Sequence, residues 1–381
     1  MKTNILGRTG MVVNPVGLGC EHLEKLPYEQ VKAVVDAALD AGINIFDVFM
    51  SEPNVRSYIG RALEGRREQV ILQGHLCAVW ENGQYKRSRN IEDVKHFFTD
   101  FMTRMNTDYV DIGMIHLVDT QEDFDIIFGG EIIEYAKQLK EQGVIRCIGL
   151  SSHNPVIALQ AVQTGLIDVL MFSLNPAYDL LPENTALGDV FKADTFKQKG
   201  LEGINDVRAK LYATCEQMGV AITVMKGLGA GSLLKAETSP FGVALTVTQC
   251  IQYALDRPGV AAMMVGCRTP EEVQIAIDYQ NATEEQRDYS VLLGTDPKYS
   301  LAGKCMYCNH CLPCVMGIDI AAVNKYLDLA DQSGVTPTLQ AHYNDLQTTA
   351  SDCIGCGDCE TRCPFGVGIV SRMEKAAKLF G

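Results

Sequence analysis

The chain has 381 residues, 47% of them hydrophobic and 21% charged, with a formal net charge of −14. This is ordinary globular composition, with length enough for a barrel of about 250 residues and a small second domain. The acidic balance and the absence of a Lys/Arg run predict no nucleic-acid partner. The opening MKTNILGRTG predicts no secretory signal, and no apolar run approaches the roughly 18 residues of a membrane helix.

In chain order, residues 4–14 (NILGRTGMVVN) read as a short hairpin turning around residues 7–10. Apolar strand-like runs then alternate with helical patterns. The strands fall at 16–19, 44–47, 70–74, 109–116, 145–151, 169–174, 221–225 and 261–265. Between them lie amphipathic stretches such as 28–42 and 129–143, the second with Ile132, Ile133, Ala136 and Leu139 near helical period. Each of these two stretches ends in Gly, a helix stop signal. Near-continuous apolar strands joined by helices predict a parallel sheet buried on both faces. Eight such strands favour a closed (β/α)8 barrel over an open doubly wound sheet. A long insertion, 179–205, follows the sixth strand. The barrel is expected over 1–285. Residues 286–381 are expected to form a linker and a small α-helical domain, with helices at 319–330 and 337–349.

That last segment holds eight of the fourteen cysteines. They form the runs Cys305-x2-Cys308-x2-Cys311-x2-Cys314 and Cys353-x2-Cys356-x2-Cys359-x3-Cys363, the second followed by Pro364. The second run has the bacterial ferredoxin spacing for a [4Fe–4S] cluster, in which the fourth cysteine of each run serves the other cluster. Two intervening residues let the chain curl so that successive sulfurs point inward. One cluster is therefore assigned to Cys305, Cys308, Cys311 and Cys363, and the other to Cys353, Cys356, Cys359 and Cys314. The first run departs from the ferredoxin form: its last gap is two residues, and Val315 stands where proline would follow. Zinc is the competing reading of CxxC pairs, but evenly spaced triplets suit its four-ligand sites poorly. Oxygen-sensitive clusters and six scattered cysteines (Cys20, Cys77, Cys147, Cys215, Cys250, Cys267) point to a reducing cytoplasm. Those six read as small buried apolar residues.

In a barrel, chemistry collects at the C-terminal ends of the strands. Here those ends carry Gly19-Cys20-Glu21-His22, Asp47, His75, His116, Ser151-Ser152-His153-Asn154, Asn175 and Lys226. Imidazoles at consecutive strand ends beside a carboxylate form a candidate acid–base cluster.

These segments resemble the aldo/keto reductase family, in particular members with a C-terminal two-cluster ferredoxin domain. The likeness rests on ILGRTGMVVNPVGLG, AGINIFDV, IGRAL, TDYVDIGMIHLV, IRCIGLSSHNP, VMKGLGAGSL and VGCRTPEEV. It implies hydride transfer between NADPH and a carbonyl, with an Asp, Tyr, Lys and His tetrad in which Tyr donates the proton. Asp47 and His116 match. The tyrosine position falls on Glu52 and the lysine position on His75, so two of the four residue types differ. Glu52 replaces a phenol only if burial raises its pKa strongly; Tyr58 and Tyr178 are the other candidate phenols. The Asp47, Glu52, His75 and His116 set also suits a divalent metal. For NADP(H), the loop of Gly227, Gly229 and Gly231 after strand seven reads as a backbone approach to the diphosphate, with a plain flexible turn as the alternative. The resemblance points to Arg268 and Glu272 after strand eight and to Ser151 and Asn175 at the mouth, where Lys226 is a further candidate. Met171 stands where the family often has Gln.

The expected function is an iron–sulfur aldo/keto reductase-like oxidoreductase acting on a small carbonyl or related substrate, with a redox protein as a further partner and no membrane. The alternatives are a non-redox lyase or hydrolase using the Glu/His pocket, with or without a divalent metal, and a non-catalytic electron-transfer module.

Overall fold

A computed structural model of the chain describes residues 2–183, 185, 203–294, 303–305, 307 and 309–381. Cys308 and most of the expected insertion lie outside them.

Twelve strands are present among the described residues. β1 (Asn4–Ile5) and β2 (Val12–Val13) form the expected N-terminal hairpin. β3 (Val16–Gly19), β4 (Ile45–Val48), β5 (Ile71–Leu76), β8 (Val110–Ile115), β9 (Ile145–Ser152), β10 (Val169–Ser173), β11 (Ala221–Met225) and β12 (Val260–Gly266) close into one parallel barrel in that order. The eight barrel strands are those read from the sequence, to within a residue or two. β6 (Ala78–Glu81) and β7 (Gln84–Arg87) form a second hairpin, which is not among the strands expected from the sequence. Its turn is Asn82-Gly83, both at positive φ. This is the Asn-Gly pair that type I′ hairpins select, because only such residues tolerate two left-handed positions in a row.

The helices around the barrel are α1 (Tyr28–Asp40), α2 (Pro53–Ala62), α3 (Ile91–Arg104), α4 (Gln121–Phe128), α5 (Glu131–Glu141), α6 (Pro155–Gln163), α7 (Asp206–Met218), α8 (Val247–Leu255) and α9 (Pro270–Ile277). Most bury an apolar stripe: α1 uses Val31, Val34, Val35 and Ala38, at helical spacing. The strands are buried on both faces, so the barrel has an inner core as well as a helix-facing one. Leu6 and Val13 of the N-terminal hairpin pack with Ile45, Ile112, Val169 and Ala221 near the strand starts, closing the floor. Arg8 bonds Asp168 and the carbonyls of Gly165 and Ile167 there. The mouth is left at the opposite end.

α10 (Glu284–Arg287) leads into the C-terminal domain of α11 (Ile320–Ser333), α12 (Pro337–Asn344), α13 (Asp358–Arg362) and α14 (Ile369–Phe380). The expected helices at 319–330 and 337–349 are α11 and a shorter α12. This domain packs on α7 and on the end of α8. Lys325 reaches Glu216 at 3.6 Å, and Gln217 Nε2 donates to the Leu329 carbonyl at 3.4 Å. The buried Arg257 lies over the rings of Tyr253 (4.5 Å) and Tyr307 (5.6 Å). His310 Nε2 is 2.8 Å from Asp288 Oδ2.

Beside Arg257, Asp256 accepts from Tyr289 Oη (2.8 Å) and Gln252 Nε2 (2.6 Å). Burial raises this carboxyl to about 7, with Arg257 opposing the rise. The folded chain therefore holds a proton there that the unfolded chain releases near the ordinary carboxylate value. Between those two values the native state binds more protons, so stability falls as pH rises towards 7. Anaerobic thermal midpoints measured from about pH 5 to 8 should fall in the wild type. Asp256→Asn should flatten that slope.

Candidate functional site

Side chains alternate along a strand, so Gln73 and His75 of β5 point to the same side, inside the barrel. Register brings them to Asp47: Asp47 of β4 is the partner of Gln73, and His75 is the partner of Met114 one strand further on. His116 follows β8 directly, and its N–H donates to the Leu76 carbonyl at 3.1 Å.

Three sequence-identified residues thus meet. Asp47 Oδ1 is 2.9 Å from His75 Nε2 and also accepts from Gln73 Nε2 at 2.9 Å. His75 Nδ1 is 2.7 Å from His116 Nδ1. None of Asp47, His75 and His116 is more than 3% exposed. Phe49 stacks on the His116 ring at 5.3 Å and meets His75 edge-on. Burial, and then the neighbouring His75, hold His116 well below the usual imidazole range.

A fourth member was missed in the sequence. The Tyr85 hydroxyl lies 2.5 Å from His116 Nε2. It comes from β7 of the mouth hairpin, where Tyr85 pairs with Trp80. The hairpin is tied down around it. Ser51 Oγ donates to the Val79 carbonyl at 2.7 Å. Arg87 donates to the Leu117 carbonyl at 3.0 Å, and Arg89 donates to the carbonyls of His116 (3.0 Å) and Leu117 (2.7 Å). Burial pushes the phenol up to about 12. The Asn82-Gly83 turn was the available signal. It announces a hairpin, but not which residue of the hairpin faces a histidine from another strand.

Glu52 does not join this row. It caps α2, its Oε2 accepting the Val55 N–H at 2.7 Å. An acidic residue just before Pro53 at a helix start satisfies an otherwise unpaired backbone donor, and the helix dipole favours its charge. The structure thus gives this candidate acid a capping bond at the start of α2 and places it outside the hydrogen-bonded row. Tyr58 packs on Tyr28, and Tyr178 is buried, its hydroxyl pushed up to about 12 by burial.

The arrangement bears on the metal reading of the mouth as well. Among the described residues, no three His, Cys, Asp or Glu side chains converge on a single ion. His75 and His116 point their Nδ1 atoms at each other at hydrogen-bond distance instead of at a shared third point.

A second polar pair borders the row. His153 Nδ1 is 3.1 Å from Asp119 Oδ2, and its N–H donates to Asp119 Oδ1 at 2.6 Å.

The residues considered for a dinucleotide divide into two groups. On the phosphate side, Arg268 and Glu272 are exposed at the start of α9. The Arg268 backbone N–H donates to Glu272 Oε2 at 2.6 Å. Gly229 and Gly231 sit at positive φ in the loop after β11, and nothing lies within 4 Å of a Cβ built on Gly231. A Cβ on Gly227 would collide with Met263. Packing against Met263 therefore accounts for Gly227, and Gly231 alone of the three has open space beside it. At the carboxamide side the polar atoms already serve the chain. Ser151 Oγ accepts from the Leu117 N–H at 2.8 Å. Asn175 donates to the Lys226 carbonyl and accepts from the Ala177 and Tyr178 N–H groups, each at 2.9 Å. Lys226 Nζ is 3.6 Å from Glu21, and Met171 is apolar.

In the C-terminal domain the cysteines line two cavities. Cys314, Cys353, Cys356 and Cys359 line one. Cys305, Cys311 and Cys363 line the other, together with Tyr307 and His310. Each cavity thus combines one run with the last cysteine of the other. Thiolates from both runs around each cavity suit a multi-iron core. Arg362 donates to the carbonyls of Cys311 (3.0 Å) and Pro313 (2.7 Å), tying α13 to the first run. The six remaining cysteines are buried, as expected.

Known proteins bear on both domains. The aldo/keto reductase family model matches residues 15–246, and the 4Fe-4S dicluster domain model matches residues 300–368. An uncharacterized oxidoreductase of Bacillus subtilis, YqkF, is 26% identical over 310 residues, covering 75% of this chain and 94% of its own. The aldo-keto reductase YhdN of the same organism is 26% identical over 193 residues, covering 47% and 54%. The solved aldo-keto reductase AKR11C1 of Bacillus halodurans superposes with a TM-score of 0.59 at 22% identity, over 75% of this chain and 94% of that one, a likeness of fold. This chain belongs to the aldo/keto reductase family and carries a 4Fe-4S dicluster domain at its C-terminus.

Proposed function

We propose that the chain interconverts a small carbonyl compound and its alcohol at the barrel mouth, in the cytoplasm, with NADP(H) as the two-electron partner. The division is a barrel over 1–285 and a linker with a two-cluster domain over 286–381. The observation that carries this reading is the buried Asp47–His75–His116 row at the strand ends of an aldo/keto reductase barrel. Asp47 accepts from His75 and fixes its tautomer. His75 in turn orients His116, whose Nε2 is presented towards the mouth. Such a row holds or passes a proton at a set point while the surrounding rings exclude water. Arg268 is proposed to pair with the 2′-phosphate, since a guanidinium binds phosphate in a two-pronged fashion. Gly227, Gly229 and Gly231 are proposed to line the diphosphate. Cys305, Cys308, Cys311 and Cys363 are proposed to hold one [4Fe–4S] cluster, and Cys314, Cys353, Cys356 and Cys359 the other. Such clusters carry electrons one at a time, and a redox protein is the proposed exchange partner.

The internal bonding of Ser151 and Asn175 favours a second reading, a non-redox lyase using the same row. One titration separates the two. Trp80, the single tryptophan, lies on the mouth hairpin. Adding NADPH to anaerobic protein should quench its emission. Arg268→Ala should weaken NADPH by about tenfold and leave NADH almost unchanged, as the loss of one charged phosphate contact would require. No quenching and no thermal shift with either dinucleotide would support the lyase.

A further inference from the structure

Behind the exposed mouth hairpin stands one uninterrupted hydrogen-bonded row: Tyr85, His116, His75, Asp47. We propose that Tyr85 is the residue that exchanges a proton with the substrate oxygen, and that the two histidines connect it to Asp47 as a reversible proton wire. The proposal rests on the carbonyl reading above and gives the proton step to a residue inside the row, where Glu52 is not.

The donor order follows from the inner end. The Asp47 carboxylate only accepts, so His75 Nε2 carries a hydrogen. Neutral His75 then has a bare Nδ1, and the 2.7 Å contact requires His116 Nδ1 to donate. His116 Nε2 is bare in turn, so the Tyr85 hydroxyl donates inward. In this state Tyr85 can take a substrate proton only by passing its own to His116. One more proton on the wire reverses every bond. His75 becomes an imidazolium against Asp47, its Nδ1–H donates to His116 Nδ1, and His116 Nε2–H donates to Tyr85 Oη. The phenol hydrogen then points outward. Proton count therefore sets direction: the resting wire is a base and the loaded wire an acid.

Exposure agrees. Tyr85 is 38% exposed, whereas the three residues behind it are buried, so Tyr85 is where the wire meets a ligand. In carbonyl reduction the C=O π bond breaks and the oxygen takes the Tyr85 proton. Tyr85 is refilled from His116 Nε2, and His116 from His75 Nδ1. The electron pair and the carbon-bound hydrogen come from a reduced nicotinamide, which leaves oxidised. The balance closes with one proton lost from the wire. Alcohol oxidation runs the same steps backwards.

The charges that face the wire are Arg87, Arg89 and His153 towards His116, and Arg87, Arg89, Asp119 and Cys77 towards Tyr85. Cys20 faces Asp47. The loaded wire carries one proton more than the resting wire, so reduction should rise as pH falls and oxidation as pH rises.

The test uses anaerobically purified full-length protein with 13C-labelled tyrosine and, for turnover, nitrobenzaldehyde or its alcohol with the nicotinamide. Tyr85→Phe should lower turnover in both directions by about 10²–10⁴-fold with cluster absorbance unchanged. The same variant identifies the Tyr85 resonance by its disappearance. Asp47→Asn should move that resonance, although Asp47 is three residues away along the row, and should flatten the opposed pH profiles. A Tyr85→Phe enzyme with wild-type rates, or a Tyr85 resonance indifferent to Asp47→Asn, overturns the wire. A wild-type protein that turns over neither compound while its Tyr85 resonance still follows Asp47 retires the carbonyl reading and leaves the wire standing.

Discussion

Cys314→Ala is expected to erase the same cluster as Cys353→Ala, although the two cysteines sit in different runs about forty residues apart. The crossed lining of the two cavities is the reason: Cys314 shares a cavity with Cys353, Cys356 and Cys359, and Cys363 shares one with Cys305 and Cys311. Each single variant should bring iron from about eight to about four atoms per chain. The reduced samples should show complementary electron-spin signals, one lost in Cys314→Ala and the other in Cys363→Ala. An uncrossed arrangement gives the opposite grouping, with Cys314→Ala resembling Cys305→Ala. The retained cluster serves as an internal control for folding. Loss of one cluster should also loosen the domain on its own side, where α13 hangs on Cys311 and Pro313 through Arg362.

The second large effect lies at His116. Phenylalanine matches the imidazole closely in shape and keeps the stack on Phe49. It cannot bond His75 or Tyr85. His116→Phe should therefore preserve the thermal midpoint within a few degrees while lowering turnover by about 10²–10⁴-fold, the usual contribution of a positioned acid–base group. The lost partners add a smaller cost: a buried His75 Nδ1 without its donor is destabilised by about 1–3 kcal/mol. A His116→Phe protein that keeps wild-type turnover would show that the buried row is architectural.

Most of this molecule could be read before it was seen. Strand positions were legible because a barrel strand buried on both faces is apolar without interruption, and helices between them repeat at 3.6 residues. Cysteine spacing was legible because cluster ligation constrains neighbouring residues. Asp47, His75 and His116 were legible because each ends a barrel strand, and strand ends are where a barrel exposes side chains to its mouth.

Glu52 and Tyr85 show where that legibility stops. Counting along the chain put Glu52 in the proton donor's place, but the helix that starts at Pro53 has its own unpaired N–H groups, and the nearest carboxylate turned to them. The phenol arrived from a hairpin after the next strand. No periodicity links residue 85 to residue 116. Their meeting depends on where β5 and β8 end and on how a ribbon with an Asn-Gly turn folds across those ends. Patterns in a chain report on neighbours within a few residues or on shared faces of regular elements. A contact made by a loop across two strands is settled by packing and closure of the whole barrel, and it becomes visible only when the barrel is assembled.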